Sequence, residues 1–459
     1  MINVAAIASL RSLPMMAIEG MSMVFFIGVS ALVFFIPTSL VSAELATGWP
    51  KLGGVYIWVK EAMGERWGFM AIWLQWVNSV FWYPTVLSFT AASFAYVINP
   101  ALASNKLYTL IMVLVIFWAA TFANFRSMRA SGLISSVGTV IGTIIPVVFI
   151  IGLGAAWIFS GQPSQMSFSA ANMVPDLSNM SNISFLTGMF LSFGGIEMSA
   201  VHAEEVENPH RNYPRAIFLS AFIIFFIFLL GSFAIAIVIP QHEISLVAGV
   251  MEAFARMLGA FNLQWLVPIV APLIAVGAIA GVSTWIVGPT KGLLATSASG
   301  DIPPFFQRMN RSGMPTAILI IQGIIVTLVS LVFLFMPTVS SSFWILTALT
   351  AQLYLIMYVL MFISAIRLRH SASDVPRSYK VPGGNPGMWI VAGVGLVACL
   401  AAIIIGFFPP SQLQTGSTFF YEAFLIGGIV IMCGIPIAIH HFRKPSWIQQ
   451  SIDKMEDKP

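Results

Sequence analysis

The 459 residues are 58% hydrophobic and only 8% charged, where soluble domains carry about 25% charged residues, so the soluble classes are set aside and a polytopic membrane protein is expected. The net charge of +4 comes from Lys and Arg scattered among loops, and nothing in that scatter points to a nucleic-acid partner. Cys399 and Cys433 both lie in apolar runs, with no disulfide framework and no CxxC metal motif.

A helix needs roughly 20 apolar residues to cross a bilayer. In chain order such segments fall at Ile2–Ile18, Ser22–Val41, Trp67–Val97, Leu107–Ala123, Leu133–Phe159, Ile183–Val201, Ala216–Ile239, Leu266–Val287, Ala317–Met336, Phe343–Ile366, Met388–Phe408 and Ala423–Ile439. Twelve spans are therefore expected, the third long enough to tilt. No cleavable signal pattern is visible: no basic region precedes the first apolar run and no small-residue cleavage site follows it. With the N-terminus inside, the inward loops and tail hold eighteen Lys and Arg and the outward loops hold only Lys106 and Arg256. That bias sets the orientation, both termini cytoplasmic, and checks the span count. Between the spans, Gly161–Asn182 reads as an outward loop, Ile244–Leu258 as a short amphipathic helix, and Pro289–Asn310 as a helix on the inward surface. The expected organisation is one transmembrane domain over residues 1–441, with repeats of about 1–160 and 183–370, extra helices at about 388–439, and a short cytoplasmic tail over 442–459.

Two spans carry residues that a bare anchor has no use for. The sixth contains Leu191-Ser-Phe-Gly-Gly-Ile-Glu197. Each glycine costs about 1 kcal/mol against alanine in a helix, and a carboxylate at bilayer depth costs ~2.5–3.5 kcal/mol or more. The first contains Ala6-Ile-Ala-Ser-Leu-Arg-Ser-Leu-Pro14, with small residues, Arg11 and a helix-restricting proline. Breaks in the first and sixth spans are the pattern of a five-plus-five inverted repeat. A broken helix offers N–H groups from one half and C=O groups from the other. The N–H end suits a carboxylate and the carbonyl end an ammonium. Two crossed breaks make a socket for the zwitterionic head of an amino acid.

Three motifs carry a resemblance that covers nearly the whole chain. They are Ala43-Glu-Leu-Ala-Thr-Gly-Trp-Pro-Lys-Leu-Gly-Gly-Val-Tyr56 with Gly64-Glu-Arg-Trp-Gly-Phe69; Phe193-Gly-Gly-Ile-Glu-Met-Ser-Ala200 with Glu204-Glu-Val-Glu-Asn-Pro-His-Arg-Asn-Tyr-Pro-Arg215; and Trp285-Ile-Val-Gly-Pro-Thr-Lys-Gly292. In order and on these spans, they resemble the amino acid–polyamine–organocation (APC) superfamily, and within it the bacterial glutamate–GABA antiporter branch. The resemblance implies the all-α, LeuT-like APC fold with two extra C-terminal helices, and alternating-access transport in a bacterial inner membrane. It implies unwound segments at Ala6, Ile7, Ala8 and Ser9 and at Phe193, Gly194, Gly195 and Ile196. It implies that Leu191 covers the substrate from outside and that Glu197 serves proton coupling or gating. By the same resemblance Trp285, Tyr354 and Tyr358 lie near the pathway. The chain departs from that branch at Gly281, where the branch has an acidic residue, at Arg11 and Ser12, where it has Tyr and Glu, and in its short tail after Phe442. The resemblance therefore carries over neither the substrate nor a C-terminal plug.

Each residue has a plainer reading beside the functional one. Gly194 and Gly195 could serve close helix packing, and Glu197 could be structural as readily as proton-carrying. Arg11 could pair bidentately with an acidic substrate or with another carboxylate such as Glu197. Gln75 and Asn78 could line the path or bridge helices. Ser283 and Thr284 on the eighth span leave sodium coupling open. His440 and His441 point different ways on a helix, and no HExxH, triad or phosphate loop appears, so no enzyme, cofactor or metal is expected. The expected function is secondary transport of an amino acid or its amine, by glutamate/GABA-like exchange or with protons. Polyamine or basic amino acid transport is the alternative, and a non-transporting membrane sensor is the alternative of another class. Expected partners are the small substrate and membrane lipid, with homodimerisation left open.

Overall fold

The computed structural model describes residues 7, 9–50, 53–125, 138, 140–198, 209–310 and 313–448. Among these, ten helices are long and apolar enough to cross a bilayer: Gly20–Gly48, Glu65–Ile98, Lys106–Asn124, Val140–Phe159, Arg215–Ala236, Gln264–Ala295, Thr316–Phe335, Val339–Ser371, Gly384–Ile405 and Thr418–His441. They are the second to fifth and seventh to twelfth of the expected spans. Capping side chains set several starts. Asn105 accepts from the N–H of Tyr108, Thr338 from Ser341 and Ser417 from Phe420. Among the described residues no strand forms, and Met309–Pro315 is an isolated bridge.

The two spans that length alone leaves out are the pair expected to break. In the sixth, the helix Phe185–Phe193 ends at Gly194, whose φ −73° and ψ 155° are extended. Gly195 follows with φ +112°, a conformation that side chains resist, and a short 3-10 turn covers 196–198. In the first, Ser9 is extended at φ −136° and ψ 123°, and the chain then enters a 3-10 turn over Leu10–Ser12 and an α-helix over Leu13–Ala17. Pro14 sits in the first turn of that helix, where its missing N–H costs nothing.

The third and tenth spans form the centre, with 72% and 83% of their apolar windows buried against 11% for the twelfth. The third packs along the eighth and the tenth, and the tenth along the eleventh. The eighth also meets the fifth at unusually close range. A Cβ on Gly142 would lie 2.3 Å from the backbone of Gly277, and one on Gly138 would lie 2.4 Å from Ala280. Small residues four apart on the fifth span, Gly138 and Gly142, and three apart on the eighth, Gly277 and Ala280, allow this approach.

Pro289–Asn310 differs from expectation. The eighth-span helix runs on through Pro289 to Ala295, and only 3-10 turns follow, at Thr296–Ser299 and Pro304–Gln307. A proline removes the hydrogen bond to the carbonyl four residues earlier. Here that carbonyl, Trp285 O, accepts from the Tyr83 hydroxyl at 2.8 Å. Pro436 in the twelfth span is compensated the same way, since Met432 O accepts from Trp73 Nε1 at 2.9 Å. The expected amphipathic stretch is a helix over Gly249–Ala260.

Candidate functional site

The unwound part of the sixth span is held from the tenth span. Tyr354 and Tyr358 are four residues apart, hence on one helix face, with ring centroids 4.8 Å apart. Both hydroxyls donate to Glu197: Tyr354 to Oε1, and Tyr358 to Oε2 at 2.6 Å. Tyr358 Oη also accepts from the N–H of Gly195 at 2.8 Å. One tyrosine oxygen thus ties the carboxylate to the strained glycine. The edge of the Tyr358 ring meets Phe34, which stacks on Phe190 at 4.8 Å. A Cβ on Gly194 would come within 3.0 Å of the Tyr354 ring, so the close approach needs glycine there.

A cavity of about 460 Å³, its open mouth included, lies beside this clamp. Its walls include Ile7, Ser9 and Arg11 of the first span, Asn78 and Trp82 of the third, Leu191 and Gly194 of the sixth, Trp285 of the eighth and Tyr354 of the tenth. Seven of the sequence-selected residues therefore converge on one space: Ile7, Ser9, Arg11, Leu191, Gly194, Trp285 and Tyr354. Gly195, Ile196, Glu197 and Tyr358 stand behind that wall. Phe193 turns away and packs between Phe35 and Phe228. Ala6 and Ala8 lie outside the described residues, as do residues 204–208 of the stretch Glu204–Arg215.

Arg11 is 4% exposed. Its Nη1 reaches Thr85 Oγ1 at 3.4 Å, and its guanidinium lies 5.4 Å from the Phe343 ring and 6.0 Å from the Trp82 ring. Its Nε has no partner. Glu197, one of the carboxylates considered for it, is engaged by the two tyrosines. Among the described residues no carboxylate pairs with Arg11. Gln75 donates toward the Met198 sulfur at 3.0 Å, and Asn78 back-bonds to Leu74 O and Gln75 O while lining the cavity. Ser283 is shared with Asn124 of the fourth span at 3.1 Å, so its hydroxyl is bonded within the scaffold.

Trp82 and Ser79 were missed from sequence. Both sit in a third span whose helix is buried nearly all round, so no amphipathic stripe marks the side that meets the cavity.

The family pattern described as amino acid permease matches residues 1–431. An uncharacterized transporter of Legionella pneumophila is 46% identical over 436 residues, covering 95% of this chain and 94% of that one. A glutamate/gamma-aminobutyrate antiporter of Lactococcus lactis is 35% identical over 433 residues, covering 93% and 86%. A probable agmatine/putrescine antiporter of the same species is 24% identical over 383 residues, covering 82% and 79%.

Proposed function

Because this chain belongs to the amino acid permease family of secondary transporters, we propose that it exchanges amino acids by alternating access, in the manner of the glutamate/gamma-aminobutyrate antiporters. The observation that carries this reading is the meeting of Ser9, Leu191, Gly194 and Trp285 around one cavity at two helix breaks. The α-carboxylate faces the N–H end of the first span's outer half, where the first helical N–H groups lack partners in their own helix. The ammonium faces the carbonyls of the sixth-span break. Leu191 and Trp285 close over the ligand. The repeats span about residues 1–160 and 183–370. The eighteen-to-two placement of Lys and Arg supports cytoplasmic termini in a bacterial inner membrane.

Glu197 carries the coupling proton in this scheme. As an ionised group it accepts from both tyrosines. Once protonated it must donate, and the tyrosine facing its proton loses the acceptor for its own hydroxyl hydrogen. At Tyr358 that hydroxyl also receives the Gly195 N–H. Protonation at Oε2 therefore turns the Tyr358 hydroxyl, which holds the sixth-span break, from donor to acceptor toward Glu197.

Counterflow in proteoliposomes loaded in turn with single amino acids and amines tests the function. Exchange of at least one amino acid is expected, and none under any gradient rules transport out. A sodium gradient is expected to leave the rate unchanged, since the Ser283 hydroxyl is bonded to Asn124; sodium-dependent exchange would overturn that.

A further inference from the structure

A second cavity adjoins the first, and Ser9, Arg11, Trp82 and Trp285 line both. Arg11 is thus a wall between two chambers. The second chamber is hollow because its far side, where the fifth and eighth spans touch, is made of Gly142, Gly277, Ala278 and Gly281. At Gly281 a Cβ would meet no atom within 4 Å. Among the described residues Arg11 is the only charged one on either lining. A buried guanidinium with one long hydroxyl contact, two aromatic rings and an unpartnered Nε lacks the counter-charge that burial demands.

Resting on the transport reading above, we propose that the substrate supplies that charge. The carried compound is a net-anionic amino acid, one with an ionised carboxylate on its side chain, such as glutamate or aspartate. Its zwitterionic head lies in the first chamber at the two breaks. Its side-chain carboxylate pairs with Arg11 at the boundary, in the space that Gly281 keeps open. Arg11 and Gly281 are then the specificity-determining pair. The same charge placement rejects polyamines, because a cationic ligand would face a desolvated guanidinium with no carboxylate on either wall.

The test measures L-glutamate, L-glutamine and putrescine in two ways, by calorimetric binding to the purified protein and by counterflow in proteoliposomes. The wild type is expected to bind and exchange glutamate in preference to glutamine, and not putrescine. Arg11→Ala should lower the glutamate-to-glutamine affinity ratio at least tenfold, and Arg11→Lys should restore part of it. Gly281→Asp, which puts a carboxylate on the chamber wall, should lower the same ratio. Preference for glutamine or putrescine in the wild type overturns the proposal. So does an equal loss for glutamate and glutamine in Arg11→Ala, which marks a structural role. If glutamate binds with Arg11-dependent preference but nothing exchanges, the transport reading falls and the site stands.

Discussion

Among the described residues three arginines are buried, and two of them, Arg369 and Arg11, have opposite surroundings. Arg369, at the end of the tenth span, is saturated. Its Nη1 reaches both oxygens of Glu44 at 2.6 Å, its Nη2 donates to Val381 O and its Nε to Asn385. Glu44 in turn accepts from the N–H of Val381 and lies 3.6 Å from Arg377, whose Nη2 donates to Leu368 O and Ala372 O. Arg11 has one hydroxyl and two rings. The guanidiniums of Arg369 and Arg377, which pin helix ends together, share the buried carboxylate of Glu44, since burial without a counter-charge is costly. A guanidinium left short within cavity walls fits a partner that comes and goes.

The sharpest way to break that comparison is thermal unfolding in detergent. Arg369→Ala leaves Glu44 buried without its closest cation, and removing one member of such a pair costs about 3–5 kcal/mol. Loss of folded yield or a large drop in unfolding temperature is expected. Arg11→Ala removes a cation that has no ionic partner among the described residues, so its unfolding temperature should hold or rise. Equal destabilisation by the two changes would make Arg11 another structural arginine.

The second contrast sets Tyr358 against Tyr354. Both bond Glu197, but only Tyr358 also holds the Gly195 N–H. A hydrogen bond to a charged group is worth about 1.5–3 kcal/mol, so Tyr358→Phe should slow exchange ~10–100-fold. Tyr354→Phe should slow it less. Equal effects would mean that the glycine bond does not matter. Glu197→Gln keeps the shape and removes the titration. It should flatten the pH dependence of exchange more than it weakens substrate affinity, and an unchanged pH profile would count against proton coupling.

What could be read from the chain were the features that leave local marks. Gly194, Gly195 and Glu197 stand out in an apolar run, as does Arg11, and the two broken spans fall where they were expected. The tie from Tyr358 to Gly195 crosses 163 residues, and nothing in either local stretch announces the other. The second chamber was half-legible. Gly138-x-x-x-Gly142 and Gly277-x-x-x-Gly281 are each a close-packing pattern, but no local rule says that the two meet. Pro289 misled for a related reason. The proline is local, while the tyrosine that compensates for it lies on the third span. Phe193 was expected to be unwound for its place in the motif, yet its backbone closes the helix Phe185–Phe193, one residue before the break, and its ring belongs to the core.

Glu19 refines the comparison of buried charges. It lies at the turn between the first and second spans, 6% exposed. Ser22 Oγ contacts its Oε2 at 3.4 Å and Gln412 Nε2 donates to its Oε1 at 3.2 Å, and among the described residues no cation pairs with it. Burial pushes its carboxyl from the ordinary 4.5 up to about 8, against a smaller opposing effect of the Ser22 bond. An arginine keeps its charge at any physiological pH, whereas a carboxyl can take up a proton, so Glu19 answers burial by neutralising where Arg11 cannot. The folded chain then holds this proton between about pH 4.5 and 8 while the unfolded chain has lost it. Stability from this group is full below that window and falls as pH rises through it, by at most about 1.4 kcal/mol per pH unit. Glu19→Gln, neutral throughout, should remove that slope from the unfolding temperature measured at pH 5, 6.5 and 8. A slope that survives the substitution assigns the pH dependence to another group.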